Sequence, residues 1–158
     1  MKSFGLIGHP LEHSFSKSYF ENKFLNENIK DVEYINIECQ DLDELFNSEN
    51  LLKLDGFNVT TPYKERIITY LDELSHVAQA IGAVNCVKIS RGKLVGHNTD
   101  YLGFLNSLKP ILKSHHENAL ILGNGGATKA IIFALKKLDI KFKIVSRNSS
   151  FDYADVDE

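Results

Sequence analysis

The chain has 158 residues, enough to bury a core as one ordinary domain or two small ones. With 43% hydrophobic and 25% charged residues, a formal net charge of -3 and a pI near 6.1, it has a globular balance and no general attraction for nucleic acid or acidic membranes. The apolar run over residues 119–135 is interrupted by Gly123, Asn124, Gly125, Gly126 and Lys129, which excludes it as a bilayer span, and no secretory leader pattern opens the sequence, so a cytoplasmic location is expected.

Residues 2–7 read as a first strand, ended by the turn chemistry of Gly8-His9-Pro10. In the polar loop that follows, Ser14 and Ser16 stand two apart, and in an extended segment their hydroxyls project to one side, where they could meet the hydroxyls of a polyol. The competing reading is that one of them caps the next helix. That helix, residues 17–28, carries Phe20, Phe24 and Leu25, with Ile29 just beyond, as one apolar face. Residues 32–37 form a second strand candidate, and residues 41–46 a short helix capped by Asp41.

Residues 54–59 read as a buried strand that delivers Asn58-Val59-Thr60-Thr61-Pro62-Tyr63-Lys64. Thr61 and Pro62 have the chemistry of a helix start, so a helix is expected from Pro62 to about Leu71, with Lys64 in its first turn. A cation there is disfavoured by the helix dipole, and the same field with partial burial would lower the amine's pKa toward the range useful for proton transfer. The plainer alternative is a solvated surface lysine. Ser75 opens another helix that Gly82 can end. Residues 84–89 and 93–97, joined across Ser90-Arg91-Gly92, read as a hairpin. The alternation of strands and helices implies an α/β fold with a mainly parallel sheet.

Asp100 is a natural cap for the apolar helix that begins at Tyr101 and ends near Pro110. Its functional alternative is to face a cleft and pair with Lys64, sharing protons with a substrate hydroxyl. Asn85 could add an amide to the same polar group, although a loop asparagine also serves turn geometry. Residues 119–122 then form a compact buried strand, followed by Gly123, Asn124, Gly125, Gly126 and Ala127, a helix over residues 128–138 and a strand over residues 141–145. Strand, glycine turn, helix and strand in that order are the setting of a dinucleotide loop, in which helix N-H groups face a pyrophosphate. The third glycine of that fingerprint falls at Thr128. After the second strand come Ser146-Arg147-Asn148, and an arginine there favours the 2'-phosphate of NADP, the alternative being a surface arginine. Cys39 and Cys86 are far apart and suit reduced thiols, and the six histidines show no convincing metal-ligand spacing, so no metal is expected.

Taken in order, these motifs resemble the shikimate dehydrogenase family, and the likeness runs through nearly the whole ordered sequence. The carriers are Gly5-Leu6-Ile7-Gly8-His9-Pro10 with His13-Ser14-Phe15-Ser16, the Asn58 to Lys64 motif, Gly82-Ala83-Val84-Asn85, Asn98-Thr99-Asp100, the glycine loop and Ser146-Arg147-Asn148. The resemblance implies that Ser14 and Ser16 bind the shikimate carboxylate, which replaces the polyol reading. It implies substrate contacts from Thr60, Lys64, Asn85 and Asp100, catalytic roles for Lys64 and Asp100, and NADP binding by Gly123, Asn124, Gly125, Gly126, Ala127, Ser146 and Arg147. The sequence departs from the family pattern at Lys17, Cys86, Asn124, Ser146 and Phe151.

The implied activity is reversible NADPH-dependent reduction of 3-dehydroshikimate to shikimate in aromatic amino-acid and chorismate biosynthesis. The alternatives are a quinate-using relative and a truncated, non-catalytic shikimate-binding module. Residues 1–100 are expected to form a substrate-binding catalytic domain, and residues 101–158 a linker helix and an incomplete Rossmann-type NADP-binding domain, because a complete one needs further strands and helices. The expected partners are the small-molecule substrate, shikimate or 3-dehydroshikimate, with no nucleic acid and no membrane. Oligomeric state is not readable from the sequence, and a homodimer stays open.

Overall fold

A computed structural model describes residues 1–48 and 51–146. It divides into two compact units, Met1–Asn98 and Thr99–Glu158. The first unit contains β1 (Lys2–Gly8), α1 (Ser16–Asn26), β2 (Val32–Glu38), α2 (Leu42–Phe46), β3 (Gly56–Val59), β4 (Glu73–Leu74), α3 (His76–Ile81), β5 (Cys86–Ser90) and β6 (Lys93–His97). Short 3-10 segments occur at Leu51–Lys53 and Arg66–Tyr70. The strands make a six-stranded sheet in the order β2-β1-β3-β5-β6-β4. β1 runs parallel to β2 and β3, and β4 parallel to β6, whereas β5 is antiparallel to both of its neighbours. This is the expected α/β class with a mainly parallel sheet.

The hydrophobic pattern fixes which face each strand turns inward. Ile7, Phe57, Val59, Val84 and Val87 pack with Leu42, Leu51, Leu54, Tyr63, Ile67 and Ala78 on one side of the sheet. Leu6, Leu11 and Tyr34 pack with Phe4, Phe20 and Phe24 in a second cluster, where the Phe20 and Tyr34 rings stack at 4.4 Å. A central strand buried on both faces reads as a continuous apolar run, which is why residues 5–8 of β1 are all buried. Only part of the expected apolar face of α1 joins this core. Phe20 and Phe24 do, but Leu25, off the stripe that 4-residue spacing gives Phe20 and Phe24, is 76% exposed, and Ile29, beyond the end of α1, is 41% exposed.

Several local expectations are met by specific bonds. The Asp41 side chain accepts from the Asp43 N-H, and the Ser75 hydroxyl accepts from the Ala78 N-H at 3.2 Å. Gly82 ends α3 in the left-handed conformation at φ 70°. The hairpin turn has Arg91 at φ 53° and Gly92 at φ 76°, the two left-handed positions of a tight turn matched to strand twist.

The helix expected from Pro62 does not form. Residues 61–62 and 64–65 are turns, the Thr61-Pro62 peptide is cis, and helical structure begins only with the 3-10 segment Arg66–Tyr70. The reason is a bond from far away in the sequence. In an α-helix the Lys64 carbonyl would receive the Ile68 N-H, but it receives the Val84 N-H at 2.7 Å, and Ile68 turns to the Glu65 carbonyl. Tyr63, 1% exposed, is drawn into the core and donates its hydroxyl to the Cys39 carbonyl at 2.6 Å. The strand before this turn is also shorter than expected, Gly56–Val59, since Leu54 closes the preceding 3-10 turn on Leu51.

The second unit contains α4 (Asp100–Leu108), a 3-10 turn at Lys109–Ile111, β7 (Asn118–Leu122), α5 (Gly126–Lys137) and β8 (Lys141–Val145). β7 and β8 pair in parallel through residues 118–122 and 141–145, so α5 is the crossover of a strand-helix-strand unit. Tyr101 of α4 meets Phe133 of α5 edge to face at 5.3 Å. β7 is buried on one side only. Ile121 is 6% exposed, whereas Leu120 and Leu122 are 47% and 65% exposed, as alternation along a strand requires when one face is covered. The N-cap of α4 is Thr99 and not the expected Asp100, which is the first helical residue, where a carboxylate suits the helix dipole.

Candidate functional site

In the first unit, strand direction gathers the candidate residues on one edge of the sheet. β1 and β3 are parallel, so the loops that follow them leave the same edge, and β5, antiparallel to β3, starts there. Open α/β sheets bind ligands outside the carboxyl ends of their parallel strands. The loop after β1 holds Ser14 and leads into Ser16, the loop after β3 holds Thr60 and Lys64, and Asn85 immediately precedes β5.

Backbone hydrogen bonds stitch these loops together. The Thr60 N-H donates to the Ile7 carbonyl at 2.9 Å, and the His9 N-H to the Thr61 carbonyl at 3.1 Å. The Val59 N-H donates to the Asn85 carbonyl at 2.9 Å, the Val84 N-H to the Lys64 carbonyl at 2.7 Å, and the Asn85 N-H to the His97 carbonyl at 3.1 Å. Thr60, Lys64 and Asn85 are therefore held by one set of contacts, and all three are half-buried. Ser14 caps in part, as its plainer reading supposed: its hydroxyl accepts from the Ser16 N-H at 3.3 Å, while Phe15 takes the N-cap position of α1. Gly8 allows the close approach of the first two loops, because a Cβ there would lie 2.4 Å from Thr60 Cγ2.

Lys64 precedes the 3-10 segment, so the helix-dipole argument for its acidity falls away. Its claim to function rests on its place beside Thr60 and Asn85. Burial pushes the thiols of Cys39 and Cys86 upward, which leaves both protonated and poor nucleophiles near neutral pH. Among the described residues no group of three or more His, Cys, Asp or Glu is placed to hold a metal ion.

Two side chains behind this edge, Tyr34 and Asn58, make contacts that their sequence context does not reveal. The Tyr34 hydroxyl donates to Asn58 Oδ1 at 2.9 Å, and Asn58 Nδ2 donates to the Asn85 carbonyl at 3.3 Å. An available signal was an asparagine between Phe57 and Val59, both deeply buried, in a short strand.

In the second unit, Gly123 follows β7 at φ 112°, a conformation that side chains rarely adopt. Its N-H donates to the Val145 carbonyl at 2.8 Å, which ties the loop to the end of β8. A Cβ at Gly123 or Gly125 would meet no heavy atom within 4 Å, so the loop backbone stands open. Gly125 is the N-cap of α5, Gly126 and Ala127 begin the helix, and its first turn has no acidic residue. Thr128, in place of the fingerprint's third glycine, is 6% exposed and donates its hydroxyl to the Gly123 carbonyl at 3.1 Å, bracing the loop from inside. Asn124 is exposed, and Ser146 is buried directly after β8. Arg147, Asn148 and Phe151 lie outside the described residues. An open backbone and a 12-residue helix that points its first N-H groups into the loop and has no carboxylate in its first turn suit a dinucleotide pyrophosphate.

Comparison with known proteins bears on both halves. Residues 6–87 match the family model described as the shikimate dehydrogenase substrate binding domain. A shikimate dehydrogenase (NADP(+)) from Methanococcus vannielii is 43% identical over 147 residues, covering 91% of this chain and 51% of that protein. The crystal structure of shikimate dehydrogenase 1 from Peptoclostridium difficile superposes with a TM-score of 0.86 at 38% identity, covering 95% of this chain and 57% of that one. A shikimate 5-dehydrogenase from Thermus thermophilus, solved in complex with NADP(H) and shikimate, gives a TM-score of 0.82 at 35% identity, with 94% and 57% covered. The chain spans about half the length of the curated relatives it matches.

Proposed function

The chain belongs to the shikimate dehydrogenase family, and from that membership we propose that it acts in the NADP-dependent interconversion of 3-dehydroshikimate and shikimate, an oxidoreductase step of aromatic amino-acid and chorismate biosynthesis in the cytoplasm. Residues 1–100 serve substrate binding and proton transfer, and residues 101–158 contribute a linker helix and cofactor binding. The observation that carries this reading is the stitched edge of the first sheet, where Thr60, Lys64 and Asn85 are held together inside the segment that the family model matches.

In this reading Ser14 and Ser16 bind the substrate carboxylate by hydrogen bonds, and Thr60 and Asn85 meet its ring hydroxyls. Lys64 and Asp100 hold and move the proton at the reacting oxygen, an ammonium being suited to donate and a carboxylate to accept. Gly123, Asn124, Gly125, Gly126 and Ala127 would hold the pyrophosphate of NADP, with Ser146 and Arg147 toward its 2'-phosphate. When bound, the nicotinamide supplies the hydride.

The test is the change in nicotinamide absorbance with shikimate as substrate, alongside equilibrium titration of shikimate. Lys64→Ala is expected to lower kcat by about 100-fold or more while weakening shikimate binding far less, the mark of a proton-transfer group. Equal losses in the two would count against that role. Quinate run in parallel separates this reading from a quinate-using one.

A further inference from the structure

We propose that Tyr34 and Asn58 are a positioning pair that orients Asn85 from behind the sheet, the tyrosine hydroxyl fixing the asparagine amide and the amide gripping the Asn85 carbonyl. The inference deepens the functional reading and rests on it, since Asn85 matters here as a substrate contact.

The chemistry of the partners fixes the direction of the chain of bonds. A backbone carbonyl can only accept, so the Asn58 NH2 must face Asn85, at 3.3 Å. That leaves Oδ1 toward the tyrosine, which must therefore donate, at 2.9 Å. Burial pushes the pKa of Tyr34 up to about 12, so the donor persists at any working pH.

The Asn85 peptide is thereby held from several sides. Its carbonyl accepts from both Asn58 Nδ2 and the Val59 N-H, and its own N-H donates to His97 at the end of β6. With both backbone groups fixed, the side chain leaves Cα in a set direction.

The surroundings of this polar arrangement are largely apolar. Tyr34 is 4% exposed and stacked on Phe20, and the pair borders a cavity of about 550 Å³ whose walls include Phe4, Phe24 and Val87. Polar groups in such a wall carry a desolvation cost, and the ladder between β3 and β5 is already made by backbone bonds. Replacing both partners of a buried hydrogen bond by apolar groups of the same shape is close to neutral for folding. The polar pair spans β2, β3 and the residue just before β5, and its far end is the peptide of one candidate site residue.

The experiment is a double-mutant cycle on this chain, read by equilibrium titration with shikimate. Tyr34→Phe keeps the ring and its stacking but removes the donor, and it is expected to weaken binding about 3- to 10-fold, the range of one hydrogen bond. In an Asn85→Ala background the same change is expected to shift affinity less than about 2-fold, because the group it acts through is gone. Equal losses in the two backgrounds, or no loss in the first, overturn the proposal. A second readout needs no ligand: the Asn85 side-chain amide gives one sharp pair of NMR signals in the parent and shifted or broadened signals in Tyr34→Phe. Unchanged amide signals overturn the positioning role. Failure of the parent to bind shikimate while those signals respond to Tyr34→Phe would instead sink the functional reading and leave the pair standing.

Discussion

One glycine links the packing of the first unit to its candidate site, and replacing it separates the account from its rivals. Gly8 ends β1, and the methyl of Gly8→Ala would lie 2.4 Å from Thr60 Cγ2, 2.8 Å from Leu11 Cδ2 and 3.2 Å from the Thr61 carbonyl oxygen. Leu11 can swing its end away. Thr60 cannot, because its branched side chain is stiff at χ1 and its N-H is tied to Ile7 at 2.9 Å, while the Thr61 carbonyl is tied to the His9 N-H. The methyl must therefore push the loop after β3 outward, an overpacking that costs about 1–3 kcal/mol. Gly103→Ala is the matched comparison. Gly103 lies exposed in α4 with nothing within 4 Å of its Cβ position, so the same added methyl should stabilise by about 0.5–1 kcal/mol through helix propensity alone. Urea unfolding followed by circular dichroism measures both, and shikimate titration should show weaker binding for Gly8→Ala because Thr60 has moved. A Gly8→Ala protein as stable as the parent, with unaltered affinity, would refute the reasoning that joins the two loops.

Two further outcomes are expected. Tyr34 has its pKa raised from 10.0 to about 12, chiefly by burial, so below pH 10 its contribution to stability is complete. Between about pH 10 and 12 the unfolded chain gives up the proton first, and stability falls by about 2–3 kcal/mol as pH rises. Tyr34→Phe should lack that part of the fall, and identical alkaline unfolding curves for the two proteins would contradict it. Arg147→Ala should abolish a preference for NADP over NAD in direct binding titrations, and an unchanged ratio would remove Arg147 from the phosphate site.

What could be read from the residues alone follows the range of the interactions involved. The caps at Asp41 and Ser75, the left-handed Gly82 and the Arg91-Gly92 turn are decided within four residues, and each stands where local chemistry put it. The strand, glycine loop and helix of the second unit were legible for the same reason, and Thr128 shows how a departure from the fingerprint is absorbed, by a hydroxyl bonded five residues back. The helix expected at Pro62 was misread because the bond that prevents it comes from Val84, twenty positions away from Lys64. The bonds that join Tyr34, Asn58 and Asn85 escaped notice likewise, since they span 24 and 27 positions. The one-sided burial of β7 depends on what covers a sheet, which its alternating leucines do not state.

The central claim is that the edge carrying Thr60, Lys64 and Asn85 is a shikimate site. Calorimetric titration of the chain with shikimate tests it most directly. Saturable binding of one shikimate per chain is expected, weakened at least about 10-fold by Asn85→Ala. Heats indistinguishable from dilution in the folded parent, or binding that Asn85→Ala leaves unchanged, would contradict it.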